Sequence, residues 1–188
     1  MGAVFWGLAL GGMVWWAYRT GAAAGGLSGV SSAVSDAVYN ATGLSMSTWE
    51  QDLNDPNRGG PYKAAIAAAE QKYGLPTNLL ARQLWQESRF RPEIINCQLD
   101  SGAGAEGIAQ IIPKWNPGVN PCDPFAAIDY AAADDARLYA EFGTWEYALQ
   151  AYNWGDGNLR AYLAGQVATM PLETSNYSAQ ILGDIGMA

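Results

Sequence analysis

Glu87 stands in "WQESRFRP", residues 85–92, at the end of an apolar helical pattern. Three further segments follow it in order: "GAEGIAQIIP" at 104–113, "AYNWGDG" at 151–157 and "PLETSNY" at 171–177. A carboxyl at a helix C-terminus meets the negative end of the helix dipole, which disfavours its charged form and raises its pKa. Trp85, Phe90 and the apolar run after Glu106 would add desolvation in the same direction. A carboxyl kept protonated near neutral pH can act as a general acid toward a poor leaving group. From position alone a plainer reading prevails: a solvated Glu at a helix end, paired with Arg89 or Arg91.

Composition narrows the choices. The chain contains no histidine. That removes Ser-His-Asp and Cys-His catalysis and most zinc sites. A formal net charge of −8 argues against nucleic-acid binding, which needs a basic face, and against simple attraction to an anionic membrane. Eight Trp and ten Tyr are many for 188 residues; such a surplus fills a core, or lines sugar-binding clefts and membrane interfaces. Cys97 and Cys122 bracket the Gly-rich segment, and their spacing fits no zinc pattern. A bridge between them would stabilise the fold by roughly 3 kcal/mol in an oxidising compartment; two buried free thiols are the alternative.

The elements that must place these residues read as helices. "YKAAIAAAEQKYG", 62–74, has helical spacing and a Gly stop. "LPTNLLARQLWQES", 75–88, starts at a Thr77 or Asn78 cap and carries Leu80, Leu84 and Glu87 on one face. "GAEGIAQIIP" reads as a short helix closed by Pro113. "DPFAAIDYAAADDARLYAEFG", 123–143, has Asp123 as cap and Pro124 in the first turn. "TWEYALQAYN", 144–153, is another cap-led helix, and "GDGNLRAYLAG" with the segment after Pro171 completes the set. No stretch alternates as a strand does, so the expected class is all-α.

The chain divides into an apolar helix over 1–30, a small-residue linker or helix over 31–60, and a catalytic domain over 61–188. The turn-former cluster "NDPNRGGP", 54–61, marks the boundary. Residues 2–18 carry no charge, near the lower limit for spanning a bilayer of about 30 Å. Gly7 and Gly11 form a GxxxG pair of the kind that lets helices approach closely. Three readings stay open for this segment: a membrane-inserting helix, a helix buried against other protein chains, and a cleaved signal peptide. The last lacks a basic residue ahead of the apolar run.

The four blocks "ESRF", "GAEGIAQIIP", "AYNWGDG" and "PLETSNY" together resemble the lytic transglycosylases with a soluble-transglycosylase catalytic domain. The resemblance covers roughly residues 60–180. It implies a lysozyme-like helical domain of goose-lysozyme type, with no metal or cofactor. Glu87 would be the catalytic acid/base. Ser88 would hydrogen-bond near the scissile sugar. Gln110 and Asn153 would line the cleft, Tyr152 would sit close to the catalytic carboxyl, and Glu173 and Tyr177 would lie at the cleft wall. Gly104 and Gly107 would let backbone approach the substrate, or else serve turn geometry. The chain departs from the family pattern at Ile108 and Ala109, where Leu-Met is usual, and at Trp154, which replaces a commonly small residue.

What the resemblance implies answers how one carboxyl suffices. Ordinary glycosidases use two. Here Glu87 would protonate the bond between N-acetylmuramic acid and N-acetylglucosamine, and the sugar's own C6 hydroxyl would close a 1,6-anhydro ring. The partners expected are peptidoglycan glycan strands and, through residues 1–30, a membrane or other virion or ejection proteins. The expected location is a phage virion acting in the host periplasm during genome delivery. The alternatives are a bacterial inner-membrane enzyme of a secretion or conjugation apparatus, a hydrolase using Asp100 or Glu106 to activate water, and a non-catalytic structural component of the virion.

Overall fold

A computed structural model describes residues 49–99 and 104–188. The expectations for residues 1–48 and for Asp100 lie outside that range. Among the described residues there is no β-strand; Glu106 and Ile111 form one isolated antiparallel bridge. No helix among them is long and apolar enough to cross a membrane.

The helices are α1 (Trp49–Asn54), α2 (Lys63–Tyr73), α3 (Leu79–Ser88), α4 (Pro92–Ile95), α5 (Pro124–Phe142), α6 (Trp145–Trp154), α7 (Asp156–Leu163) and α8 (Leu172–Asp184), with a 3-10 turn at Gly60–Tyr62 before α2. Most of the punctuation follows from local chemistry. Asp123 accepts hydrogen bonds from the Phe125 and Ala126 N–H groups at the start of α5. Thr144 accepts from the Tyr147 N–H at the start of α6. Gly74 and Gly143 end α2 and α5 in the left-handed conformation that only glycine adopts without cost.

The start of α3 uses a different device from the expected Thr77 or Asn78 cap. Asn78 holds the cap position, but its side chain makes no capping bond. The Glu70 carboxylate reaches across from α2 instead. It accepts from the Asn78 N–H at 3.0 Å and the Ala81 N–H at 3.2 Å. An anion at the positive end of a helix satisfies the orphan donors and the dipole together.

α5 packs on α2 and α6, α6 packs on α8, and α8 returns to α3. The apolar core joins these elements through Ile66, Leu80, Leu84, Ile108, Ile128, Leu149 and Ile181. α3 is therefore enclosed almost all round, with Arg82, Gln83, Glu87 and Ser88 buried alongside its leucines. A buried helix carrying that many polar groups must pair them, which is what shapes the site.

Two expectations are corrected. First, 104–113 is not a helix. Gly107 and Gln110 both have positive φ, 73° and 49°, which no α-helix tolerates, and the segment folds back on itself at the Glu106–Ile111 bridge. Second, the packed unit begins ahead of residue 61. Trp49 and Leu53 of α1 belong to the core. The turn formers between α1 and α2 serve packing rather than separation: a Cβ at Gly59 would lie 2.6 Å from the Leu53 Cα.

Cys97 and Cys122 are joined by a disulfide. It closes a loop with a sequence separation of 25 residues around the 104–113 turn. Removing the cross-link should lower stability by about 3 kcal/mol through loop-closure entropy. Denaturant titration of the oxidised chain against a C97S/C122S variant measures it, and equal midpoints would show that the bridge does not restrain the unfolded chain.

Candidate active site

α3 delivers Glu87 in its last turn, and a chain reversal follows at once. Arg89 and Phe90 both sit at left-handed φ, 53° and 48°. Consecutive non-glycine residues there are uncommon and need outside support. Ser88 supplies part of it. Its hydroxyl donates to the Leu84 carbonyl at 3.0 Å and accepts from the Phe90 N–H at 3.2 Å. Arg58 supplies the rest by donating to the Arg89 carbonyl at 2.6 Å. Arg58 is itself paired with Asp52 of α1. The second oxygen of Asp52 accepts from the Trp85 indole N–H at 2.7 Å, and the Arg89 guanidinium lies 3.6 Å over the Trp85 ring. The turn after Glu87 is thus held by an Asp–Arg strut from the N-terminal side.

The Ser88 side chain is fully buried, and its hydrogen bonds tie the last turn of α3 to the reversal after Glu87.

Glu87 is 4% exposed. Tyr177 of α8 donates its hydroxyl to Glu87 Oε1 at 2.5 Å. Tyr177 therefore touches the carboxyl itself, closer in than the cleft-wall position expected for it. Tyr152 of α6 donates to the Ala109 carbonyl at 2.8 Å, which pins the 104–113 turn to α6. Burial pushes the Tyr152 hydroxyl well above its usual range, and the neighbouring acids, Glu87 first, act in the same direction when ionised. It is a neutral donor in the pH range where proteins work.

Asn153 Oδ1 accepts from the Thr174 hydroxyl at 2.9 Å, joining α6 to α8 beside this layer. Gln110 is half-buried and its amide donates to the Gly107 carbonyl at 2.9 Å. Glu173 lies half-buried in the first turn of α8. Trp154 packs edge-on against Tyr162 at 6.2 Å, an internal contact for at least one of its edges. Glu106 rests with a carboxylate oxygen 3.6 Å from the Cys122 sulfur. The group Cys97, Glu106 and Cys122 has ligand-like proximity, but the disulfide occupies both sulfurs.

A family model described as the transglycosylase SLT domain matches residues 64–170. The chain belongs to the transglycosylase SLT family. The match takes in more than half of the 188 residues. Members of the SLT family are lytic transglycosylases, so at family level the chain is a peptidoglycan-directed enzyme with a lysozyme-like helical domain. No solved structure matches the chain. The SLT match spans α2 to the loop after α7 and stops before Tyr177.

Two members of the buried layer were missed in the sequence. Gln83 lies four residues before Glu87, on the same face of α3, and is fully buried. Asp135 of α5 is 1% exposed and accepts from the Gln83 amide at 3.1 Å. Burial pushes its carboxyl well above the usual range, against the lowering effect of the Gln83 bond. Spacing exposes Gln83 to discovery, since i and i+4 share a helix face. Asp135 reads as surface because "DDAR" has the look of a solvated helix stripe.

Proposed function

We propose that the chain is a peptidoglycan lytic transglycosylase in which Glu87 is the only group that transfers protons. The observation that carries this reading is the Glu87 carboxyl itself. It is buried at a helix end, held by a tyrosine hydroxyl, and within electrostatic reach of Tyr152, which pins the 104–113 turn. In the protonated form Glu87 gives its proton to the glycosidic oxygen between N-acetylmuramic acid and N-acetylglucosamine as the C1–O bond breaks. The N-acetyl group stabilises the developing cation. The resulting carboxylate removes the proton from the C6 hydroxyl, whose oxygen forms the new bond to C1. One proton is lent and returned, and no water is consumed. Attack within one ring gains an effective molarity of order 10⁵ M or more when aligned. Gln110, Asn153 and Glu173 are assigned to the walls that bind the glycan.

Hydrolysis would need a second carboxyl to activate water. Asp135, the other acid in the buried layer, is 1% exposed and bonded to Gln83, so it has no surface on which to hold a water. Glu106 is turned to the disulfide. Analysis of the products from purified wall sacculi tests this: 1,6-anhydro ends are expected, and reducing muramic acid ends would establish a hydrolase instead.

Tyr177→Phe keeps the ring and removes the bond to Glu87. A hydrogen bond to an ionisable group contributes about 1.5–3 kcal/mol, so turnover should fall about tenfold or more with KM little changed. Steady-state digestion of soluble glycan measures it; an unchanged kcat would remove Tyr177 from the site.

We place the enzyme in a phage virion, opening the host wall locally during genome delivery. The support is the uncharged run at 2–18 with its GxxxG spacing, suited to insertion into an envelope or to packing among ejection proteins. Detection of the full chain in purified particles is the expected result; its absence from particles, with recovery in a bacterial inner-membrane fraction, would reassign it.

A further inference from the structure

Beneath Glu87, one helical turn back, two buried side chains each have an atom with nothing to bind. Among the described residues only three buried side-chain oxygens lack a partner: Gln83 Oε1, Asp135 Oδ2 and Gln150 Oε1. The first two belong to side chains already joined by one bond, from Gln83 Nε2 to Asp135 Oδ1. An amide and a carboxyl present matching forks. When the carboxyl is ionised, one arm of the fork bonds and the other sets oxygen against oxygen. Flipping the amide only exchanges the arms. A single proton on Asp135 Oδ2, given to Gln83 Oε1, would close a second hydrogen bond and satisfy both orphans.

We propose that Asp135 is a neutral carboxylic acid closed in a two-bond ring with the Gln83 amide, and that this ring is a positioning element for Glu87, which rests on the reading of Glu87 as the acid/base. The ring fixes the face of α3 that carries Glu87 and keeps the floor beneath it uncharged.

The electrostatics agree. Burial is the main influence on Asp135, and the charges acting on it are Asp134 and Glu87, both negative. The cations on the packed elements are taken elsewhere. Arg82 pairs with Asp184 at 2.7 Å, Lys72 with Asp129 at 2.6 Å and Arg137 with Asp134 at 2.7 Å. Glu70 of α2 is occupied at the α3 N-terminus, and Tyr152 of α6 is neutral. Of the influences on Asp135 the Gln83 bond alone favours an anion, and burial outweighs it. An anion there would also oppose ionisation of Glu87 and raise its pKa, since like charges disfavour each other. With Asp135 neutral, that opposition is absent.

The test compares the full chain with Asp135→Asn and Gln83→Glu. The side-chain amide of the D135N variant can form the same ring without a titratable proton. In the wild type the folded state keeps the Asp135 proton while the unfolded chain releases it above about pH 4. The unfolded state then binds fewer protons, so wild-type stability falls as pH rises. The unfolding constant of the wild type relative to D135N should therefore rise about tenfold per pH unit above about pH 5. A ratio that stays flat means an ionised Asp135, with a buried water or shift filling the gap, and overturns the proposal. The alkaline limb of the turnover profile reads the effect on Glu87. D135N should leave the limb where it is; a downward move of about half a unit or more would show that a charge had been removed and would also overturn it. Q83E places two carboxyls face to face, which share one proton and retain one charge. Its limb should move up by about half a unit or more, and an unmoved limb would deny the ring any bearing on Glu87. The unfolding measurement needs no activity, so it stands or falls apart from the Glu87 assignment.

Discussion

Glu87→Gln should lower peptidoglycan turnover by about 10³-fold, within the range general acid–base catalysis supplies. The fold should stay intact. Gln has the same shape, and its carbonyl can still accept from the Tyr177 hydroxyl that contacts Oε1 at 2.5 Å. What it lacks is a proton to lend. The loss should fall on kcat, because the amide blocks proton transfer in the transition state more than it disturbs binding of the sugar. Release of soluble fragments from purified sacculi, with denaturation as a control, measures both. Undiminished release by a folded E87Q chain would sink the single-carboxyl mechanism.

The largest effect on stability is expected at Gly107. A Cβ there would fall 1.8 Å from the Pro121 carbonyl oxygen, at a φ of 73°. Gly107→Ala thus combines a backbone clash with a left-handed conformation that L-residues resist. The cost should be about 4 kcal/mol or more, at the severe end of single substitutions. Gly104 is the control. Its φ is similar, 74°, but no described atom lies within 4 Å of the Cβ position. Gly104→Ala should cost only about 1–2 kcal/mol of backbone strain. Equal losses in chemical denaturation would show that close approach to Pro121 is not what requires a glycine. Of the two roles expected for Gly107, approach of the backbone to substrate or turn geometry, the structure shows a close approach between two loops of the protein.

The sequence exposed the long helices because their signals are local. Asp123, Thr144, Gly74 and Gly143 each act within one turn of chain, and all four hold those positions in the structure. Glu87 stood out for another reason: its position alone suggested a solvated helix end, and only the four ordered blocks and the family they resemble singled it out. What was hidden depends on distant partners. Glu70 replaces the expected cap of α3 from another helix. The Asp52–Arg58 strut acts on Arg89 across 31 residues, and nothing in "NDPNRGGP" distinguishes a packed turn from a linker. The 104–113 segment has apolar spacing that suits a helix, but Gly107 is committed to Pro121 and Gln110 to a left-handed bend. The resemblance puts Ser88 near the sugar; its burial and its bonds to the Leu84 carbonyl and Phe90 N–H depend on packing that the sequence does not display.

The supports of Glu87 reach it from both ends of the described chain. Asp52 and Arg58 come from ahead of the segment by which the family is recognised, residues 64–170. Tyr177, Ser178 against Gln150, and Asp184 against Arg82 come from behind it. Excising the recognisable portion would leave the Arg89 carbonyl, the Trp85 indole and a buried guanidinium each without its present counterpart. The smallest piece that keeps the surroundings of the carboxyl whole runs from Trp49 to Asp184, so kinship and autonomy have different borders in this chain.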